Sequence, residues 1–145
     1  YSGDEIAQVN DYSYKEDWKK AEDSRYIHRG KLSWENAAKI DDPDTVEGKM
    51  FQRLSQPEKI RKEEKAFVSY ADAWTMDTWD ESTLAIGRYY DGDKIIGVFN
   101  FSEYDRMAWI NEDDGLCEDL ITGQKMQAVG VKVPAHGFYY LKKVE

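Results

Sequence analysis

Cysteine occurs once in this sequence of 145 residues, at Cys117. A single thiol cannot close an internal disulfide, so the stapled scaffolds of small secreted domains are excluded. A reducing compartment fits without being required, and the cytoplasm is weakly favoured. Within "GLCEDL" the residue reads as a small buried hydrophobe. Histidine is almost as scarce. His28 and His136 lie far apart, with no His-x-His, His-Glu-x-x-His or Cys/His spacing around them, so no metal is expected. Phosphate- and dinucleotide-binding glycine loops and a Gly-x-Ser-x-Gly elbow are also missing, and no cofactor is expected. No apolar run approaches the roughly 20 residues of a membrane helix, and no charged and apolar regions mark a signal peptide. An initiator Met is lacking too, which leaves that last absence with little weight. Positive charge is the minority, with 20 Lys and Arg against 29 Asp and Glu and a formal net charge of −9. That balance excludes nucleic acid and anionic membrane surfaces as expected partners.

What is present suffices for a packed core: 41% of residues are hydrophobic and 14% aromatic. Residues 1–36 are polar and aromatic, without a sustained period, and read as a long structured loop with short helical turns. Loops of that length in compact domains are usually functional or disordered, and Tyr12, Tyr14, Trp18, Tyr26 and Trp34 favour the functional reading. Residues 43–65 read as a helix, with Pro43 in its first turn and Val46, Met50, Phe51 and Leu54 forming one apolar stripe. Pro57 is expected to kink or restart it. From Ala66 the period changes to two. "AFVSYADAWTM" places Val68, Tyr70, Trp74 and Met76 on one side. "LAIGRYYDGDKIIGVFNF" reads as two strands around an Asp91-Gly92 hairpin turn, with Gly87 and Gly97 as close-packing positions within the strands. "RMAWI", "CEDLITGQKMQAVGVKV" and "GFYYLKKV" add shorter strands, with Gly123 in a second hairpin turn. Seven or eight such strands with no helices between them predict an antiparallel β-sandwich.

Residue types alone leave the chemistry open. Asp4, Glu5, Asp11, Glu16, Asp17, Glu22 and Asp23 are numerous enough for the carboxylate pair of a glycosidase, yet no spacing shows that two converge. Ion pairing with Lys15, Lys19, Lys20, Arg25 and Arg29 explains most of them. Trp74, Trp79 and Trp109 could stack on sugar rings, although a tryptophan in a sandwich commonly serves the core or an interface.

Read in order, "YSGDEIAQVND", "AEDSRYIHRG", the helix and "GVFNFSEY" resemble the C-terminal portion of amylosucrase-like enzymes, a branch of the α-amylase family of glycoside hydrolases. "YSGDE" is similar to the end of barrel strand eight, "DSRYIHR" to the loop that follows, and "DLITGQKM" to a hairpin common in the terminal domain. Pro57 departs from relatives, in which the helix continues. The resemblance implies an α+β fragment. Residues 1–66 would be the end of strand eight, loop eight and the last helix of a (β/α)8 barrel, and residues 67–145 an antiparallel all-β sandwich. It also implies that the nucleophilic Asp, the acid/base Glu and the second Asp of the family precede Tyr1. This stretch would then contain no catalytic residue and be inactive alone.

What the resemblance leaves here is one wall of the active site, since barrel enzymes build their sites from the loops at the strand ends. The Arg of the "DSR" motif maps to Arg25. In such enzymes it pairs with an upstream Asp and closes the pocket that holds the transferred glucosyl ring. Asp23 and His28 would orient that loop or, equally well, only make local structural hydrogen bonds, while Asp4 and Glu5 would hold it structurally. The implied function is that of a fragment of a retaining glycosidase or glucosyltransferase acting on sucrose or an α-glucan, whose partner is the missing barrel portion. A purely structural appendage ranks second and a stand-alone carbohydrate-binding sandwich third. Without a barrel against it, the Val46 stripe is expected to fold back on the sandwich or to be covered by self-association.

Overall fold

The computed structural model describes residues 3–110 and 115–144. Tyr1 and Ser2 of the "YSGDE" stretch lie outside the described residues. The chain divides into two compact units, Tyr1–Pro57 and Glu58–Glu145.

The first unit is built from short turns, as its aperiodic sequence predicts. Three 3₁₀ segments, Asp4–Ile6, Ser13–Glu16 and Ser24–His28, are followed by a single α-helical turn, α1 (Trp34–Ala37). Ser33 caps α1, its hydroxyl accepting from the Asn36 amide. The long helix α2 spans Val46–Glu63. It starts three residues after Pro43, because Thr45 takes the capping role: its hydroxyl accepts the Gly48 N–H at 3.0 Å and donates to the Asp42 carbonyl at 2.8 Å. The Asp42 carbonyl crosses so near that a Cβ at Gly48 would lie 1.9 Å from its oxygen. Only a residue without a side chain can start the helix there.

Pro57 does not interrupt α2, which runs from Val46 to Glu63 with the proline inside it, so no restart occurs there. Proline removes one ladder bond, which costs about 3 kcal/mol, but the segment beyond it is anchored by the buried Ile60. Within the same turn region, the Ser55 hydroxyl donates to the Phe51 carbonyl at 2.7 Å. Val46, Met50 and Leu54 are exposed and Phe51 is half-buried, so the predicted stripe stays uncovered.

The second unit is mostly antiparallel sheet. Its strands are β1 (Asp72–Met76), β2 (Thr83–Tyr90), β3 (Asp93–Asn100), β4 (Arg106–Ala108), β5 (Leu116–Asp119), β6 (Lys125–Gln127), β7 (Val131–Val133) and β8 (Phe138–Lys143). Six of them form one sheet in the order β1-β2-β3-β8-β5-β6, and β4 pairs with β7 in a second. The core lies between the two sheets: Ala85, Ile96, Val98 and Leu141 from the larger meet Ala108, Val131 and Val133 from the smaller, with Ile110, Cys117 and Ala128 closing the ends. Each fully buried Ile, Leu or Val here contributes roughly 1.5–3 kcal/mol. The antiparallel sandwich and the burial of Cys117 are as the sequence predicts.

Asp91-Gly92 forms the expected two-residue hairpin. Both residues have positive φ (48° and 82°), and the register runs from Tyr90 opposite Asp93 to Thr83 opposite Asn100. Gly87 gives its space to the Trp74 ring, which a Cβ would meet at 2.3 Å. The first strand is shorter than its alternation suggests. Residues 65–71 do not join the sheet, because long-range side chains capture their backbone. The Ala66 N–H donates to Asp93 (3.0 Å), and Arg88 donates to the Ala66 and Val68 carbonyls (2.8 Å each). Tyr70 stands exposed, edge-on to Tyr90 with ring centroids 5.0 Å apart.

Candidate functional site

The "DSRYIHR" segment folds as a 3₁₀ turn because Asp23 caps it. The Asp23 carboxylate accepts the Arg25 N–H at 3.1 Å and also takes the Arg25 side chain. Nε donates to Oδ1 and Nη2 to Oδ2, both at 2.8 Å. This two-point fork is the geometry a guanidinium offers a carboxylate. Arg29 adds charge from 4.0 Å. The Arg25 hydrogen bonds hold the Asp23 carboxyl at a pKa of about 2, well below the ordinary carboxylate value. The Arg25 side chain is 67% exposed even so.

The turn is tied to the rest of the unit by its backbone. The Asp11 N–H donates to the Ile27 carbonyl at 2.9 Å, and the Asp11 carboxylate accepts the Ser13 N–H at 2.9 Å. Bonds from Ser13 lower the Asp11 pKa. Gly30 passes close to Asp11, where a Cβ would lie 3.1 Å from the Asp11 Cβ. The Gln8 amide oxygen accepts from the Ser33 N–H at 3.3 Å. Gly3 enters the first turn with φ 109° and donates to Glu5 at 2.9 Å. Ile6 and Tyr14 are the buried apolar anchors.

Of the three residues singled out by sequence, Asp23 and Arg25 are brought together. His28 ends the same turn on a different side, beside Gly3, Asp4, Gln8 and Ile27. A concavity of about 360 Å³ in the unit is lined instead by Asp11, Ser13, Tyr14, Glu16, Asp17, Lys20, Tyr26 and Arg29. Lys20 and Arg29 lie over the Tyr26 ring, 5.7 and 5.4 Å from its centroid. The sequence reading named Tyr26 as a loop aromatic and Arg29 as an ion-pairing cation, but did not join them in one site. Their i, i+3 spacing within one turn was the available signal, but their meeting with Asp11 and Lys20 depends on the loop path.

Chemically, this concavity offers donors on Lys20 and Arg29, acceptors on Asp11 and Asp17, and a tyrosine ring between cations. Such groups bind a hydroxylated or anionic ligand; none is placed as a base beside a nucleophile. Among the described residues no three His, Cys, Asp or Glu side chains are grouped to hold a metal ion, and no helix is long and apolar enough to cross a membrane.

No family model matches the chain. Among solved structures, a maltogenic amylase from S. marinus superposes on 99% of the chain with a TM-score of 0.62 and 17% sequence identity. A β-galactosidase from Bacillus circulans sp. alkalophilus overlaps 48% of it, with a TM-score of 0.40 and 19% identity. The chain spans 16% of the amylase and 10% of the galactosidase. The fold, turns and helix included, is therefore like that of the matching portion of the maltogenic amylase.

Proposed function

We propose that the chain belongs to an α-amylase-type enzyme of the amylosucrase-like branch, acting on sucrose or an α-glucan, and that residues 3–30 form one wall of its sugar pocket. The superposition of 99% of the chain on the maltogenic amylase supports this reading, and the Asp23–Arg25 fork carries it. Asp23 fixes the guanidinium through both oxygens, which sets its orientation within the wall. The bond-breaking carboxylates belong to the remainder of the complete protein, which is also the partner of this wall. The β unit serves as a stabilising domain.

The test is Arg25→Ala and Arg25→Lys in the complete enzyme. With the loss of one charge-assisted contact in the transition state, kcat/KM for sucrose or a maltooligosaccharide falls about 100-fold in Arg25→Ala. Arg25→Lys recovers little, because an ammonium cannot keep both the fork and the sugar contact. The unfolding temperature changes by no more than about 2 °C, since the pair is exposed. Wild-type kinetics in both variants would sink the proposal.

A further inference from the structure

The stretch Asp77-Thr78-Trp79-Asp80 between β1 and β2 holds a tryptophan where a turn residue would be expected. Trp79 has φ 57°, the left-handed region that bulky side chains rarely enter. Its N–H donates to the Asp77 carboxylate at 2.9 Å. The loop beneath it is over-determined. Thr78 is buried, its hydroxyl donates to the Asp80 carbonyl and accepts from the Thr83 hydroxyl at 2.7 Å, and the Asp80 carboxylate accepts the Ser82 N–H at 2.8 Å. All this fixed backbone presents an indole that is 77% exposed and fills no core.

A second exposed tryptophan is bonded to the same loop through its backbone. The Trp109 N–H donates to the Thr78 carbonyl at 3.0 Å, which puts the two tryptophans on adjoining backbone. Trp109 is 52% exposed. One part of its ring lies against Gly130, where a Cβ would come within 2.8 Å, so the ring is supported from the protein side and open on the other. Arg106 joins the same surface, 3.9 Å from Asp80 and 6.0 Å from the Tyr104 ring.

We infer that Trp79 and Trp109 form a binding platform for a pyranose oligosaccharide, separate from the Arg25 wall. The surrounding charge decides the ligand class. Asp77 and Glu81 are exposed beside Trp79. Burying these acids against a second copy of a chain of charge −9 would set like charge on like. A neutral sugar chain lays its C–H face on the indoles and donates its rim hydroxyls to the carboxylates, leaving neither unpaired. Two rigid indoles also bind with little loss of side-chain freedom.

The experiment uses the whole 145-residue chain titrated with maltoheptaose and, in a separate arm, cellohexaose, followed by tryptophan fluorescence and calorimetry. Saturable binding is expected, with Trp79→Ala and Trp109→Ala each weakening it at least tenfold. Trp34→Ala, at an exposed tryptophan outside both the platform and residues 3–30, leaves it unchanged. Trp79 is exposed, so its variant keeps the wild-type unfolding temperature. Binding in the first arm assigns α-linked chains and in the second β-linked ones. No binding of either probe up to about 10 mM, or binding that both tryptophan variants retain, overturns the inference.

Discussion

Arg25 and Asp23 show how two residues two positions apart can make a fixed feature on an exposed surface. The carboxylate caps the turn and grips the guanidinium at once, so the backbone and the side chain are ordered by the same group. The folded-state pKa of Asp23, about 2, lies below the ordinary value. The pairing is therefore complete above pH ~4 and is lost as pH falls through about 2. A carboxyl-carbon NMR titration of the chain should give Asp23 a midpoint near 2, moving to near ~4 in Arg25→Ala. A wild-type midpoint near 4 would show that the fork does not persist in solution.

Among the elements, the β5–β6 hairpin explains its own motif. In "DLITG", Asp119 is fully buried and each of its oxygens is used: Oδ1 accepts the Tyr140 N–H at 2.9 Å, and Oδ2 accepts the Thr122 N–H and hydroxyl at 2.9 and 2.7 Å. The Asp holds the turn and fastens it to β8, while Gly123 supplies positive φ. Asp119→Ala leaves buried donors without acceptors and should cost about 3 kcal/mol, lowering the unfolding temperature by about 10 °C or more. Asp119→Asn keeps one acceptor oxygen and should lose about half as much. Equal stability of the alanine variant by calorimetry would refute this account. Such elements are legible in sequence when their cause is local, as at Asp91-Gly92, where the turn demands its own residues. They are misread when the cause is distant. The 65–71 segment alternates like a strand, but Arg88 and Asp93, more than 20 positions away, claim its backbone. Pro57 reads as a break because propensity cannot register the anchoring of Ile60. The fork at Arg25 was visible as a motif, whereas the concavity of Asp11, Lys20, Tyr26 and Arg29 was not, because only the folded loop assembles it.

For the molecule as a whole, the two units rest on different resources. Among the described residues of the first, Ile6 and Tyr14 are the large buried apolar side chains, and hydrogen bonds within turns do the rest. The second encloses an apolar cluster between two sheets. Stability should follow that division. Amide hydrogen exchange should place β2, β3 and β8 in the slowest class and residues 3–36 in a much faster one. A single uniform class of protection would show that the chain unfolds as one cooperative body.

The strand order carries one more consequence, in the order of synthesis. β8 is made last yet sits inside the larger sheet, between β3 and β5. While the chain emerges, β1, β2 and β3 can pair as a meander, but the β5–β6 hairpin has no place in the sheet until Phe138–Lys143 arrives. Through that interval the edge of β3 stands unpaired, with Ile96 and Val98 uncovered on one face, the kind of nascent edge that chaperones shield. Slowing translation just before residue 138 would prolong that exposure, and the soluble yield of this domain depends on how quickly its final strand closes the gap.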